Sequence, residues 1–203
     1  MSQDKRIGLY GGTFSPPHNG HAHAAKAFLV EGQIDELVVM PTYRPPHKVN
    51  KDTTSAQDRL AMCRLAFDFS EKITVSDLEI LREGKSYTSD TLRALTREGV
   101  RLVLLCGTDM FLTLDEWHEP DVIFSLAEIA CIRRENEDDK AREILRKAQE
   151  YRARYGAVLR FIETDAIPLS SSMIRERIAN GEGTEGLLAP SVGAYVEERG
   201  LYR

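Results

Sequence analysis

Ile7-Gly8-Leu9-Tyr10-Gly11-Gly12-Thr13-Phe14-Ser15-Pro16-Pro17-His18-Asn19-Gly20-His21, followed by the apolar and small residues Ala22 to Val30, decides how this chain reads. Ile7 to Tyr10 reads as a buried strand, and Ala22 to Val30 has the length of a helix. The adjacent glycines between them predict a strand-to-helix turn. They tolerate φ > 0 and let a ligand approach the backbone, although two glycines also make a tight turn that binds nothing. His18 and His21 are three apart, which puts both on one face where the helix begins. A helix start carries unpaired N–H groups and a positive dipole end. Two imidazoles added there suit several anionic oxygens, such as a polyphosphate. Gly20 costs roughly 1 kcal/mol against alanine inside a helix. That cost is tolerable if something flat or bulky must touch the helix, or if helix and sheet approach closely. His23 is a third histidine, but five residues from His18 it projects elsewhere. No Cys-x-x-Cys or His-Glu-x-x-His accompanies these residues, so no protein metal site is read.

Outward from this stretch, strand and helix patterns alternate. Strands are expected at Glu36 to Met40, Ile73 to Ser76, Arg101 to Cys106, Glu128 to Ile132 and Ala157 to Ile162. Helices are expected at Ser55 to Phe69, Thr88 to Glu98 ended by Gly99, Asp139 to Tyr155, Ser172 to Asn180 and Ser191 to Arg199. In the second helix of the chain, Leu60, Cys63, Leu65 and Phe67 form the apolar side, with Asp58, Arg59 and Arg64 polar. In the long charged helix, Ile144, Leu145, Ala148 and Tyr151 form the apolar side. The alternation predicts an α/β fold with a doubly wound, mainly parallel sheet and helices on both faces. Such sheets bind ligands beyond the carboxyl ends of their strands, near the reversal of strand order. The Gly11 to His21 turn lies at such an end.

The chain has 203 residues, 42% hydrophobic and 29% charged, which suits a single domain over residues 1–203 with a sizeable core. The net charge of −5 gives no bulk basic field for nucleic acid, so an anion site must be built locally. No apolar run is long enough for a bilayer, and the first residues, Met1 to Arg6, lack the apolar segment of a secretion signal. Cys63, Cys106 and Cys131 are odd in number and scattered in apolar runs, as expected of reduced core residues in a cytoplasmic protein. The oligomeric state stays open between a monomer and a small homo-oligomer.

Three further constellations follow strands or open helices. Pro41-Thr42-Tyr43-Arg44-Pro45-Pro46-His47-Lys48 is stiffened by its prolines and ends in cations, so it can aim Lys48 at phosphate or simply form a surface loop. In Cys106-Gly107-Thr108-Asp109, Gly107 leaves room for a ligand. Asp109 suits ribose hydroxyls, or the cap of a short helix near Met110. Trp117 suits either stacking on an aromatic base or filling the core. Ser170-Ser171-Ser172-Met173-Ile174-Arg175 sets hydroxyls, free N–H groups and a guanidinium together at a helix start. That combination grips a phosphate, or else makes a serine-capped helix with Arg175 in water.

In order along the chain, Gly11-Gly12-Thr13-Phe14-x-Pro16-x-His18-x-Gly20-His21, Pro45-Pro46-His47-Lys48 and the Ser-x-Ser-x-x-Arg element ending at Arg175 form a pattern. The chain resembles the bacterial nicotinate-nucleotide adenylyltransferases, in the nucleotidyltransferase superfamily marked by His-x-Gly-His. Ser86-Tyr87-Thr88, the Asp109 to Trp117 segment and the ending Val196 to Arg203 extend the resemblance over almost the whole chain. The resemblance implies a Rossmann-like fold and adenylyl transfer from ATP to nicotinate mononucleotide, with Mg²⁺ carried by ATP. His18 and His21 would meet the ATP phosphates, with Lys48 near them. Arg175 and Ser172 would hold the polyphosphate, with the helices from about residue 170 to 203 completing the ATP site. Asp109 would take ribose hydroxyls, with Gly107 before it. Trp117 would stack on the pyridine ring, with Tyr87 and Thr88 by its carboxylate. Gly11, Gly12, Thr13 and Phe14 would supply turn contacts. Three positions depart from the pattern: Ser15 where the family usually has Asp, Ser172 where Thr is frequent, and His118 where Tyr is frequent. Two other readings stand beside this one: the same chemistry on nicotinamide mononucleotide or phosphopantetheine, or a nucleotide-binding regulator without turnover.

Overall fold

The structure, a computed structural model, describes residues 4–46, 54–134, 138–165 and 167–203. Its strands are β1 (Lys5–Gly12), β2 (Glu36–Pro41), β3 (Ile73–Val75), β4 (Val100–Gly107), β5 (Ala127–Arg134) and β6 (Leu159–Thr164). They form one parallel sheet in the order β3-β2-β1-β4-β5-β6. The helices are α1 (Asn19–Glu31), α2 (Ala56–Ala66), α3 (Leu78–Arg82), α4 (Thr88–Leu95), α5 (Thr108–Phe111), α6 (Pro120–Leu126), α7 (Asp138–Tyr155), α8 (Ser171–Ala179) and α9 (Pro190–Glu198). No described helix is long and apolar enough to cross a membrane.

Both faces of the sheet are covered, so its central strands are apolar without interruption. On β4, Val103 and Leu105 point to one core, and Leu102, Leu104 and Cys106 point to the other. The first core is closed by Phe28 of α1, Met62 and Cys63 of α2, Ile174 of α8, and Val192 and Val196 of α9. The second is closed by Leu92 of α4, Phe111 of α5, Ile123 of α6, and Ile144, Ala148 and Tyr151 of α7. Gly8 is required by this packing, since a Cβ there would meet the Phe28 ring at 2.6 Å. All three cysteines are buried free thiols.

Several sequence expectations need correction. The helix expected to run to Glu98 ends at Leu95, and Gly99 (φ +71°) instead turns the chain into β4. Leu65 and Leu145 are exposed rather than packed. Arg59, expected on the polar side of its helix, is only 3% exposed. Helices α3 and α6 were not anticipated, being five and seven residues long. That is too short for a 3.6-residue period to show, although Pro120 at the start of α6 is a fitting opener.

The strand pairing itself makes a crevice. β1 pairs with β4 from Lys5↔Val100 to Leu9↔Leu104 and then stops. Beyond that point β1 stays with β2 as far as Gly12↔Pro41, while β4 stays with β5 as far as Gly107↔Ile132. The carboxyl ends of the two central strands therefore part where the strand order reverses, which is where open α/β sheets bind ligands. A Cβ on Gly11 or on Gly107 would meet nothing within 4 Å.

Candidate active site

Gly11 and Gly12 are the last residues of β1 rather than the turn, and neither has positive φ. Pairing with Met40 and Pro41 keeps them extended. The left-handed residue is Phe14 (φ +50°), a costly conformation for a bulky side chain, of order 1–3 kcal/mol. Ring contacts hold it there: Phe14 meets His21 at 5.1 Å, Tyr10 at 5.4 Å and Phe67 at 5.7 Å between centroids. Gly12 is small because a Cβ there would strike the Phe14 ring at 2.8 Å.

His18 is the N-cap of α1 and His21 is its third residue. Their rings stack at 3.7 Å between centroids, 28° from parallel. The Nδ1 of His21 accepts the backbone N–H of His18 at 3.1 Å. A ring nitrogen that accepts carries no proton, so Nε2 of the neutral His21 ring is the donor. The flat object that Gly20 admits is the imidazole of His18, because a Cβ at Gly20 would stand 3.0 Å from its Cε1 and Nδ1. Neither a sheet contact nor a ligand is needed to explain this glycine. His23 lies apart, its Nε2 within 2.7 Å of Thr164 Oγ1.

The second expected element arrives against the first. Ser170 caps α8 by accepting the Met173 N–H at 3.2 Å, and Arg175 is not left in water. The Arg175 guanidinium donates to the Ser15 carbonyl at 2.7 Å and to Ser172 Oγ at 3.1 Å. Ser171 Oγ donates to the Pro16 carbonyl at 2.9 Å. Asn19, the first residue of α1, donates to Leu187 O and, through its side chain, to Gly186 O, both at 2.9 Å. The buried Ser15 hydroxyl shares a 3.0 Å hydrogen bond with the Tyr202 hydroxyl.

A third group gathers at the start of α4. Tyr87 and Thr88 open α4, and the Tyr87 ring lies 4.1 Å from that of His118. Trp117 is half-buried against the second core, so it both packs and keeps an open side. Beside it, Glu119 is held by two bonds from Arg93 at 2.6 and 2.8 Å, and that guanidinium pulls its carboxyl down to about 2. Asp109 is the second residue of α5, makes no cap, has a side chain 88% exposed, and pairs with Lys140 at 3.0 Å. Lys48, expected near phosphate, and His47 lie outside the described residues. No group of three or more His, Cys, Asp or Glu able to hold a metal occurs among the described residues.

Comparison with known proteins fits this geometry. Residues 9–177 match the cytidylyltransferase-like family. Nearly the whole chain matches a probable nicotinate-nucleotide adenylyltransferase of Shouchella clausii at 36% identity, covering 98% of this chain and 97% of the other. It matches the nicotinate-nucleotide adenylyltransferase of Bacillus subtilis at 34%, with 98% of each chain covered. The chain belongs to the nicotinate-nucleotide adenylyltransferase family. A solved structure of the nicotinic acid mononucleotide adenylyltransferase of Plasmodium falciparum, complexed with NaAD, shares the fold with a TM-score of 0.71 at 20% identity, covering 98% and 97% of the two chains.

For a nicotinate-nucleotide adenylyltransferase, the sequence reading missed two residues that shape the site. Arg59 donates to Thr13 O at 2.8 Å and to Tyr43 O at 3.2 Å, so a buried cation ties the turn after β1 to the loop after β2. The Tyr43 N–H in turn reaches Ser86 Oγ at 2.9 Å, and Arg44 O accepts from Ser86 N–H, which carries the link to Tyr87. The only signal for Arg59 was its position among Leu60, Met62 and Cys63, all buried. Tyr202 had no local signal, because its partner is 187 residues away.

Proposed function

We propose that this chain transfers the adenylyl group of ATP to nicotinate mononucleotide, forming nicotinate adenine dinucleotide and pyrophosphate. The observation that carries the reading is the meeting of the His18/His21 helix start with the Ser172/Arg175 helix start at the crevice between β1 and β4. It occurs in a chain alike over its full length to proteins of that name.

A 5′-phosphate oxygen of the mononucleotide attacks the α-phosphorus of ATP, the bond to the bridging oxygen breaks, and pyrophosphate leaves in line. Phosphate is already a nucleophile, so the protein needs no covalent intermediate. Its task is to align two polyanions and to neutralise charge as it develops, and alignment of this kind supplies up to about 7–11 kcal/mol. In this reading the Nε2–H of His21, fixed by the bond at its Nδ1, donates to oxygens on the α-phosphorus, and the stacked His18 ring stands beside it. One such donor contributes about 3–4 kcal/mol in the transition state. The positive dipole end of α1 faces the same charge. Arg175 and Ser172 would take the outer phosphates, with Lys48 added from the loop after β2. Gly11, Gly12, Thr13 and Phe14 would contact the nucleotide through backbone, and Gly107 and Asp109 would reach its ribose. The Tyr87, Thr88 and Trp117 group would hold the pyridine ring and its carboxylate.

The turn residues offer N–H, hydroxyl and imidazole groups rather than carboxylates. That suits a Mg²⁺ whose oxygens come from phosphate and water. When bound, the ion neutralises phosphate charge.

The test is product identity from ATP, Mg²⁺ and each acceptor in parallel. Nicotinate adenine dinucleotide with equimolar pyrophosphate supports the reading. Preference for nicotinamide mononucleotide or phosphopantetheine would reassign the acceptor, and bound ATP without product would make the chain a regulator.

A further inference from the structure

We infer that Tyr202 is a positioning residue for the phosphate-binding turn, acting through Ser15; this rests on the proposed role of that turn in holding ATP. The device begins at the end of α9. Gly200 N–H bonds to Glu197 O at 3.1 Å and Leu201 N–H to Val196 O at 3.0 Å, with Gly200 left-handed at φ +61°. This double bond with a left-handed glycine is the Schellman ending, and Leu201 packs against the first core, to which Val196 belongs. The ending reverses the chain, and Tyr202 follows at φ +65°. A left-handed tyrosine is uncommon, and here it accompanies the hydroxyl's 3.0 Å bond to Ser15 Oγ.

Ser15 is buried and held from two sides. Its carbonyl accepts from Arg175, and its hydroxyl is bonded to Tyr202. Its neighbour Pro16 is held at the carbonyl by Ser171. The segment that leads from strained Phe14 to the N-cap His18 therefore has three side-chain anchors from beyond residue 170, and two converge on one residue. Where the family pattern usually has an acid at position 15, this chain has a neutral hydroxyl suited to a phenol. Tyr202 adds no charge and touches no reacting atom. Its effect must appear in how firmly the turn is preformed, and so in how well ATP binds to it.

The test compares Tyr202→Phe, Ser15→Ala and the double variant, full-length, by steady-state kinetics and by hydrogen exchange of the amides from Thr13 to His21 without substrate. Loss of one neutral hydrogen bond is expected to raise the KM for ATP about three- to ten-fold, with kcat and the KM for the mononucleotide changed less. Amide exchange in the turn should quicken while that of β4 does not. In the Ser15→Ala background, Tyr202→Phe should add nothing. An unchanged KM for ATP in Tyr202→Phe, or an equal further loss in the double variant, overturns the inference. If the wild-type protein makes no product, the adenylyl-transfer reading fails, and the exchange measurement alone decides this one: unchanged exchange overturns it and quickened exchange supports it.

Discussion

The imidazole of His18 occupies the space that a side chain on Gly20 would need, with two of its ring atoms 3.0 Å from the position of a Cβ there. The two residues form one unit: the helix carries the propensity cost of a glycine so that the ring can lie along it and stack on His21. Gly20→Ala should therefore separate stability from activity. Alanine favours the helix by up to about 1 kcal/mol, so the Tm should hold or rise. The displaced ring should cost about ten-fold or more in kcat/KM, since an error of about 1 Å costs about 100-fold. A variant with full activity would show that the ring position does not matter to the reaction.

Removal of either imidazole should act on the chemical step. His18→Ala and His21→Ala are each expected to lower kcat by about 100- to 1,000-fold, the loss typical of one transition-state donor. Circular dichroism should remain that of the wild type. Single-turnover rates provide the check, and near-normal rates would remove both rings from the mechanism.

Arg59 sets a different expectation. Its guanidinium spans two carbonyls, Thr13 O and Tyr43 O, that belong to separate loops. Arg59→Met should lower stability by about 2–4 kcal/mol, because two charge-assisted bonds are lost. Arg59→Lys keeps the charge but lacks the fork, so it should recover only part of the stability and leave the KM for ATP raised. Urea denaturation and steady-state kinetics measure the two effects separately.

Trp117 is tied to the acceptor rather than to ATP. Trp117→Ala should raise the KM for the mononucleotide by ten-fold or more, since stacking of a base on an aromatic ring is worth about 1–3 kcal/mol. The KM for ATP should stay within about two-fold. Equal rises for both substrates would indicate a packing role only.

Stability in acid should depend on Glu128, far from the crevice at the amino ends of the strands. Burial alone would raise its carboxyl, but the bidentate Arg6 pair, with Arg160 and Arg101, outweighs it and holds the group below the usual carboxylate range. A group lowered in the folded state contributes stability that is complete above its unfolded pKa, near 4.3, and is lost as pH falls through the folded value. Glu128→Gln should cost about 3 kcal/mol at pH 7, as removal of one partner from a buried pair does. Its Tm should also fall less steeply than the wild type's below about pH 4.

Legibility varied with the distance over which each residue finds its partner. The alternation around β1, β4 and α7 was readable, because buried parallel strands are continuously apolar and long helices show their period. Thr96 to Glu98 misled, since the apolar and polar pattern ran on after the hydrogen-bonded helix had ended at Leu95. Gly12, expected in the turn itself, ends β1 without positive φ and leaves a flat space under Phe14. The polar side of its helix was the expected place for Arg59, because its two acceptors are backbone oxygens, which no residue type reveals. Asp109 does not cap its short helix; it pairs instead with Lys140, 31 residues away on α7, a partner no local pattern reveals.

Residue types and spacing along the chain determined that strands and helices alternate and that imidazoles sit at a helix start. They also set hydroxyls and a guanidinium at a second helix start far along the sequence. Periodicity and capping are local, so they are written in neighbouring residues. Only the tertiary structure decided that these two starts meet at the parting of β1 and β4, that His18 lies on Gly20, and that Tyr202 reaches Ser15. Those contacts join segments more than a hundred residues apart or depend on ring orientation, and they exist only once both cores have closed the chain around the sheet.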